Sequence, residues 1–226
     1  FFTHREACNM AYDKVPEVVE YYLGEISKIT GREYHLFSYY GDKEADRVII
    51  LMGSATEAAR EAIDYLNRNG EKVGMVSVHL YRPFSVKHLL AAVPKTAKKI
   101  AVLDRTKEPG AEGEPLYLDV KSAFYDVENR PVIVGGRYGL GSSDTTPAKI
   151  ISVFNNLKLD TPKNHFTVGI VDDVTFTSLP EVEEIPMGGD GMFEAKFYGL
   201  GADGTVGANK NSVKIIGDNT DKHCQA

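Results

Sequence analysis

The sequence predicts an α/β fold, with a mostly parallel sheet covered by helices on both faces over residues 31–160 and an incomplete second α/β unit over residues 161–226. Three observations carry this reading. Short, continuous apolar runs rich in β-branched residues, such as "RVIILMGS", alternate with amphipathic stretches, as expected of strands buried on both faces and joined by helices. Helix-start and helix-stop residues recur between those runs, and such alternation implies right-handed βαβ crossovers. Past "LDTPKNH" the alternation breaks, and an acidic, glycine-punctuated stretch follows.

The elements follow in order. Residues 1–30 form a helical lead-in: in "PEVVEYYLGEISKITG", Val18, Val19, Tyr22 and Ile26 share one face and Gly31 ends a helix over 16–30. "RVIILMGS" is the first strand, and "SATEAAREAIDYLNRNG" is its helix, with Ser54 placed to cap, Glu57 at capping-box spacing and Gly70 at the end. "KVGMVSVHLYRPF" and "KKIAVLDRT" are strands flanking the short helix "SVKHLLAAVPKTA". The helix "GEPLYLDVKSAFYDV", the strand "RPVIVGGRYG" and the helix "TTPAKIISVFNNLKL" complete the domain. In the second unit, "HFTVGIVDDVTFTSLP" reads as a strand with a turn. "MFEAKFYGLGADG" reads as an alternating strand that runs into a glycine-rich turn, and "VGANKNSVKIIGDNT" has helical spacing.

Composition narrows the function. With 26 Lys+Arg against 32 Asp+Glu, the net charge of −6 gives no basic field for nucleic acid and no polybasic patch for an anionic membrane. No apolar run approaches the roughly 20 residues that span a bilayer, and the start lacks a leader pattern, so a cytoplasmic setting is expected. Cys8 and Cys224 lie at opposite ends and cannot by themselves build a disulfide framework or a thiolate cluster. The six histidines show no metal-ligand spacing. The chain opens on Phe1-Phe2 without Met and closes on "DKHCQA", and both ends are expected to be cuts.

Four stretches invite a chemical reading. "GLGADGTVGANK" sets Gly199, Gly201 and Gly204 in a loose G-x-G-x-x-G before a helix, where unpaired helix N–H groups favour an anion and Thr205 adds a hydroxyl. A glycine-rich βα turn that binds nothing explains the same residues. Gly188-Gly189-Asp190-Gly191 echoes the thiamine diphosphate signature, but the turn and a strand separate it from Asn219, so it reads as a surface turn. Asp104–Gly110 and "GGRYGLGSSDTTP" both follow parallel strands at the sheet edge where α/β proteins bind ligands. The first suits an interdomain contact or a solvated loop. The second suits an anion at Arg137, or simply a connection to an N-cap at Asp144 or Thr145.

Five segments in order, "GSATEAAREAIDYL", "GMVSVHLYRPFS", "AVLDRTKEPGAEGEPLYLDV", "GGRYGLGSSDTTPA" and "FYGLGADGTVGANKNSVKIIG", resemble the pyruvate:ferredoxin (flavodoxin) oxidoreductase family. The resemblance implies a transketolase C-terminal-like domain over 31–160 and the truncated start of a gamma-type, coenzyme A-binding domain over 161–226. It implies that Gly201, Ala202, Asp203, Gly204 and Thr205 receive coenzyme A, and that this stretch holds no catalytic residue and no metal. The parent reaction it implies is oxidative decarboxylation of pyruvate with coenzyme A to acetyl-CoA and CO2. Thiamine diphosphate, Mg2+ and 4Fe-4S clusters would be held elsewhere, ferredoxin or flavodoxin would take the electrons, and the full-length protein would be a homodimer. This piece alone would be inactive. A relative acting on another 2-oxo acid, or a non-catalytic nucleotide-binding or scaffold subunit, stays open at this stage.

Overall fold

The computed structural model describes residues 1–185 and 192–225 and divides the chain into two units, Phe1–Met187 and Gly188–Ala226. The first unit is built on a six-stranded sheet in the order β1 (Phe37–Gly41), β3 (Val73–Val78), β2 (Arg47–Leu51), β4 (Lys99–Asp104), β5 (Val132–Tyr138), β6 (Phe166–Val168). β1 runs antiparallel to β3, and the other pairings are parallel. The central strands β2, β3 and β4 are almost wholly buried, which explains why they read as unbroken apolar runs. β1, "FSYYG", is a strand where the sequence suggests only a connection. Its apolar alternation is weak, and it is fixed by its ladder with β3 from Phe37 opposite Val78 to Gly41 opposite Gly74.

Two apolar clusters cover the two faces. On one, α3 (Ala55–Arg68) and α6 (Pro147–Lys158) pack Ile63, Leu66, Ile150 and Phe154 against Ile49, Leu51, Met75 and Leu103. On the other, α4 (Val86–Ala92) and α5 (Pro115–Ala123) pack Leu89, Leu116, Tyr117 and Val120 against Val48, Ile50, Val76 and Val102. Each such large side chain contributes about 1.5–3 kcal/mol on full burial. α2 (Val15–Thr30) rests Val19 and Leu23 on the second cluster and ends at Gly31 in the left-handed region, as its spacing predicts. α1 (Phe2–Tyr12) buries no residue.

Two caps differ from expectation. The Ser54 side chain accepts no bond from α3; its backbone carbonyl instead accepts the Glu57 amide at 3.2 Å, because Ser54 is already helical in φ and ψ. α6 is capped by Thr146, whose hydroxyl accepts from the Lys149 amide, and not by Asp144 or Thr145.

The crossovers do not all share one hand. β4–α5–β5 and β5–α6–β6 step the same way across the sheet, yet α5 and α6 lie on opposite faces, so their hands are opposite. The first three crossovers agree with each other and the last departs from the rule. Gly136 explains how β6 can still seat closely: a Cβ there would meet the Phe166 ring at 2.1 Å, so only glycine leaves room for that ring. Asn156 holds the return, accepting the Lys163 amide and donating to the Lys163 carbonyl, both at 2.9 Å. The sheet thus extends past residue 160.

In the second unit, the regular element among the described residues is α7 (Thr205–Asn219). The strand expected over 192–198 is irregular backbone instead. Its alternation is real, but a strand exists only through a ladder partner, and none pairs with it among the described residues. The Gly188–Gly191 stretch lies outside the described residues. Among the described residues no helix is long and apolar enough to cross a membrane.

Candidate functional site

The glycine-rich turn enters α7 through two glycines with positive φ, Gly201 at 135° and Gly204 at 87°. Gly204 is the N-cap in the left-handed region, which an L side chain rarely adopts. A Cβ at either position would meet nothing within 4 Å, so the turn is open on that side. Asp203 organises the rest. Its carboxylate accepts the Leu200 amide at 2.8 Å and the Thr205 amide at 3.0 Å, and also takes the Thr205 hydroxyl. These bonds, the Thr205 hydroxyl first, pull its pKa down to about 2.

This geometry alters the simple picture of an anion cradle. One helix-terminal amide, that of Thr205, is already satisfied by a carboxylate, which also repels an approaching phosphate. The Val206 and Gly207 amides, the next two of the helix, have no acceptor within it. The five residues 201–205 are therefore contiguous and ordered around one side chain. The fit to an anion rests on the second and third amides and the open glycine side, with Asp203 as the opposing charge.

A second locus lies in the first unit, where the strand order reverses direction between β2 and β4. A cleft of about 650 Å³ sits at the C-terminal ends of β2, β4 and β5, lined among others by Gly53, Ser54, Tyr81, Asp104, Arg105 and Tyr138. The structure brings together here the two loops that the sequence singles out separately. Arg105 Nε donates to the Gly139 carbonyl at 3.0 Å, and Arg137 donates from Nε to Glu114 Oε1 and from Nη1 to the His165 carbonyl, each at 2.8 Å.

The charges at this edge are committed to structure. Asp104 is buried and accepts the Leu116 and Tyr117 amides at 3.0 and 3.1 Å, so it caps α5 from a neighbouring strand. Burial pushes its pKa up; the two amides pull the other way, and the nearby Glu114 and Asp119 add to the rise. Burial likewise pushes the Tyr81 phenol up to about 12, and the nearby Asp119 carboxylate adds to the rise. Glu114 is 1% exposed, with Oε1 on Arg137 and 3.7 Å from Lys107 Nζ. Arg137 is thus occupied by a buried carboxylate and a carbonyl, which leaves it poorly placed as an anion receptor.

Sequence reasoning passes over Glu114 and Asn164. Asn164 Oδ1 accepts the Gly135 amide at 2.7 Å and its Nδ2 donates to the Tyr117 hydroxyl at 3.0 Å, binding β5, α5 and the approach to β6. A carboxylate at a helix N-cap facing a strand arginine was the available signal for Glu114. Asn164, in a polar loop, offered none. Among the described residues no group of three or more His, Cys, Asp or Glu side chains is disposed to hold a metal ion.

Residues 45–150 match the family model described as pyruvate:ferredoxin oxidoreductase core domain II. Over the whole chain, sequence identity is 60% with a pyruvate-flavodoxin oxidoreductase of Enterobacter agglomerans and 56% with one of Klebsiella pneumoniae. It is 52% with a pyruvate:ferredoxin oxidoreductase of Moorella thermoacetica. Each alignment covers 100% of this chain and 19% of the relative. Among solved structures, a chain of a 2-oxoglutarate:ferredoxin oxidoreductase from Magnetococcus marinus, with 2-oxoglutarate, coenzyme A and succinyl-CoA bound, is 23% identical. The match covers 55% of this chain and 19% of that one at a TM-score of 0.39. The chain is similar from end to end to one stretch of the pyruvate:ferredoxin and pyruvate-flavodoxin oxidoreductases, and it spans 19% of the length of those relatives.

Proposed function

We propose that this chain is the corresponding stretch of a pyruvate:ferredoxin (flavodoxin) oxidoreductase, an enzyme that oxidises pyruvate with coenzyme A to acetyl-CoA and CO2 and passes two electrons to ferredoxin or flavodoxin. The observation that carries this reading is the end-to-end identity of 60% with a named pyruvate-flavodoxin oxidoreductase, together with the core domain II match. In it, the six-stranded sheet with its helices is a transketolase C-terminal-like packing domain, which runs past the expected limit at residue 160 to include β6, and the second unit belongs to the start of a gamma-type domain. The setting is cytoplasmic, and the full-length protein is a homodimer.

Thiamine diphosphate with Mg2+ and 4Fe-4S clusters, held by other parts of the longer polypeptide, would supply electron-sink and one-electron chemistry. This chain's own residues do simpler things. Gly201, Ala202, Asp203, Gly204 and Thr205 form the turn that receives coenzyme A, the open glycine side allows close backbone approach, and the Val206 and Gly207 amides are the donors for a phosphate oxygen. Asp203 is the brace that fixes the turn, and its charge keeps a phosphate toward those two amides and away from Thr205. The Asp104, Glu114 and Arg137 cluster holds α5 to the sheet edge, so the cleft there meets neighbouring parts of the polypeptide on a rigid surface. Holding the thiol carrier in place raises the rate of acyl transfer by proximity.

Calorimetric titration of the full-length protein with coenzyme A tests the site. Gly204→Val places a β-branched residue at a φ of 87°, and the expected result is at least a tenfold loss of affinity. Equal affinity of wild type and variant would remove the turn from the account. The present chain alone is expected to show no turnover.

A further inference from the structure

The loop from Ile170 to Ser178 is built to hold apolar side chains outward. Asp172 lies at its centre: Oδ1 accepts the Val174 and Thr175 amides at 3.1 and 3.0 Å, and Oδ2 accepts the Thr177 amide at 2.8 Å and the Thr175 hydroxyl at 2.6 Å. The Thr177 hydroxyl also donates to Oδ2. Both ends of the loop are clamped. Ser178 Oγ donates to the Ile170 carbonyl and accepts the Asp172 amide, Leu179 is buried in the core, and its amide donates to the Thr167 carbonyl at 2.8 Å. Thr175 and Thr177 are turned inward onto Asp172, so the residues between and beside them point away. Val171, Val174 and Phe176 are 87%, 81% and 75% exposed.

Phe176 also has a φ of 56°, an unusual conformation for a bulky L residue that costs about 1–3 kcal/mol and persists only where its surroundings impose it. Within this unit the exposure of three large apolar side chains stabilises nothing. Rigidity, strain and outward apolar groups together describe a preorganised contact, one whose ordering cost is met before its partner arrives.

We propose that the loop Ile170–Ser178 is a preformed docking finger whose Val171, Val174 and Phe176 insert into an apolar recess of the remainder of the longer polypeptide. This rests on the reading that the chain is part of such a polypeptide. The occupant is argued from length: the chain spans 19% of its relatives, so most of the surface that could cover the finger lies outside it.

The test is hydroxyl-radical footprinting of the full-length protein, with mass spectrometry reading oxidation at Phe176 and Val174. The expected result is labelling of Phe176 at least tenfold slower than in the unfolded protein, independent of protein concentration. Labelling at the unfolded rate overturns the proposal. Protection that appears only as concentration rises also overturns it, in favour of a second copy of the chain. A variant adds a separate readout: Val174→Ser/Phe176→Ser is expected to lower the Tm of the full-length protein and to leave that of the present chain unchanged. The same drop in both would show a merely local role and refute docking. Absence of pyruvate-dependent electron transfer would fault the functional reading alone, because the footprint does not depend on the reaction.

Discussion

Replacing Asp104 separates the role of its oxygens from that of its charge. In Asp104→Ala the Leu116 and Tyr117 amides, both buried, lose their acceptor. Each buried amide left without a partner costs about 1–3 kcal/mol, so the variant is expected to lose about 4 kcal/mol. For a chain of this size that is roughly 12 °C in Tm. Asp104→Asn keeps one acceptor oxygen and removes a charge whose burial is unfavourable, so its expected cost is about 1 kcal/mol, or roughly 3 °C. The pH dependence gives the sign. Burial raises the folded-state pKa of Asp104, so the stability linked to its protonated form is present below the unfolded value and lost as pH rises through the folded pKa. The asparagine variant has no such loss, so the gap between wild type and Asp104→Asn should narrow from pH 4 to pH 7. Urea denaturation of the first unit at both pH values measures this. Equal costs for Asn and Ala at pH 7, or a gap that widens with pH, would refute the reasoning.

Three further outcomes are expected. Gly136→Ala puts a methyl group 2.1 Å from the Phe166 ring and should cost about 1–3 kcal/mol in denaturant unfolding, with most of it recovered by adding Phe166→Leu. Arg137→Met strips the partner from Glu114, which is 1% exposed, and should cost about 3–5 kcal/mol; adding Glu114→Gln should restore much of that, and no restoration would mean that lost packing dominates. The Asp203 carboxyl, with its folded pKa lowered to about 2, supports the turn above the unfolded value near 3.9 and releases it as pH falls through about 2. Carbon NMR titration of the Asp203 carboxyl should therefore give a midpoint near 2, and an ordinary midpoint would show that the Thr205 and Leu200 bonds do not form in solution.

The parts of the fold legible in the sequence are those in which one local pattern serves one purpose. β2, β3 and β4 are buried on both faces and read as apolar runs; α6 reads as a helix and Gly31 closes α2 as its position suggests, but α2 rests Val19 and Leu23 on the core and leaves Val18, Tyr22 and Ile26 of its expected face exposed. Errors arise where the deciding partner is distant. β1 depends on β3, and the alternation in 192–198 has no partner strand among the described residues and forms none. The hand of the last crossover is set by α6 packing beside α3, which no local pattern states. At the candidate site the glycines and Thr205 were legible as a turn opening a helix. Asp203 reads in the sequence as one more member of the turn, and its effect, a carboxylate seated on the first helical amide, emerges only from geometry. Asp104 was likewise visible as a charge at a strand end, though not as the cap of a helix that starts 11 residues later.

The decisive assay of the proposed function is reduction of ferredoxin or flavodoxin by the full-length protein, reconstituted with thiamine diphosphate, Mg2+ and iron–sulfur clusters. Reduction is expected to require both pyruvate and coenzyme A, to yield one acetyl-CoA and one CO2 for each electron pair, and to fall sharply in Gly204→Val. A fully loaded protein that reduces neither carrier with pyruvate, or that does so equally well without coenzyme A, would contradict it.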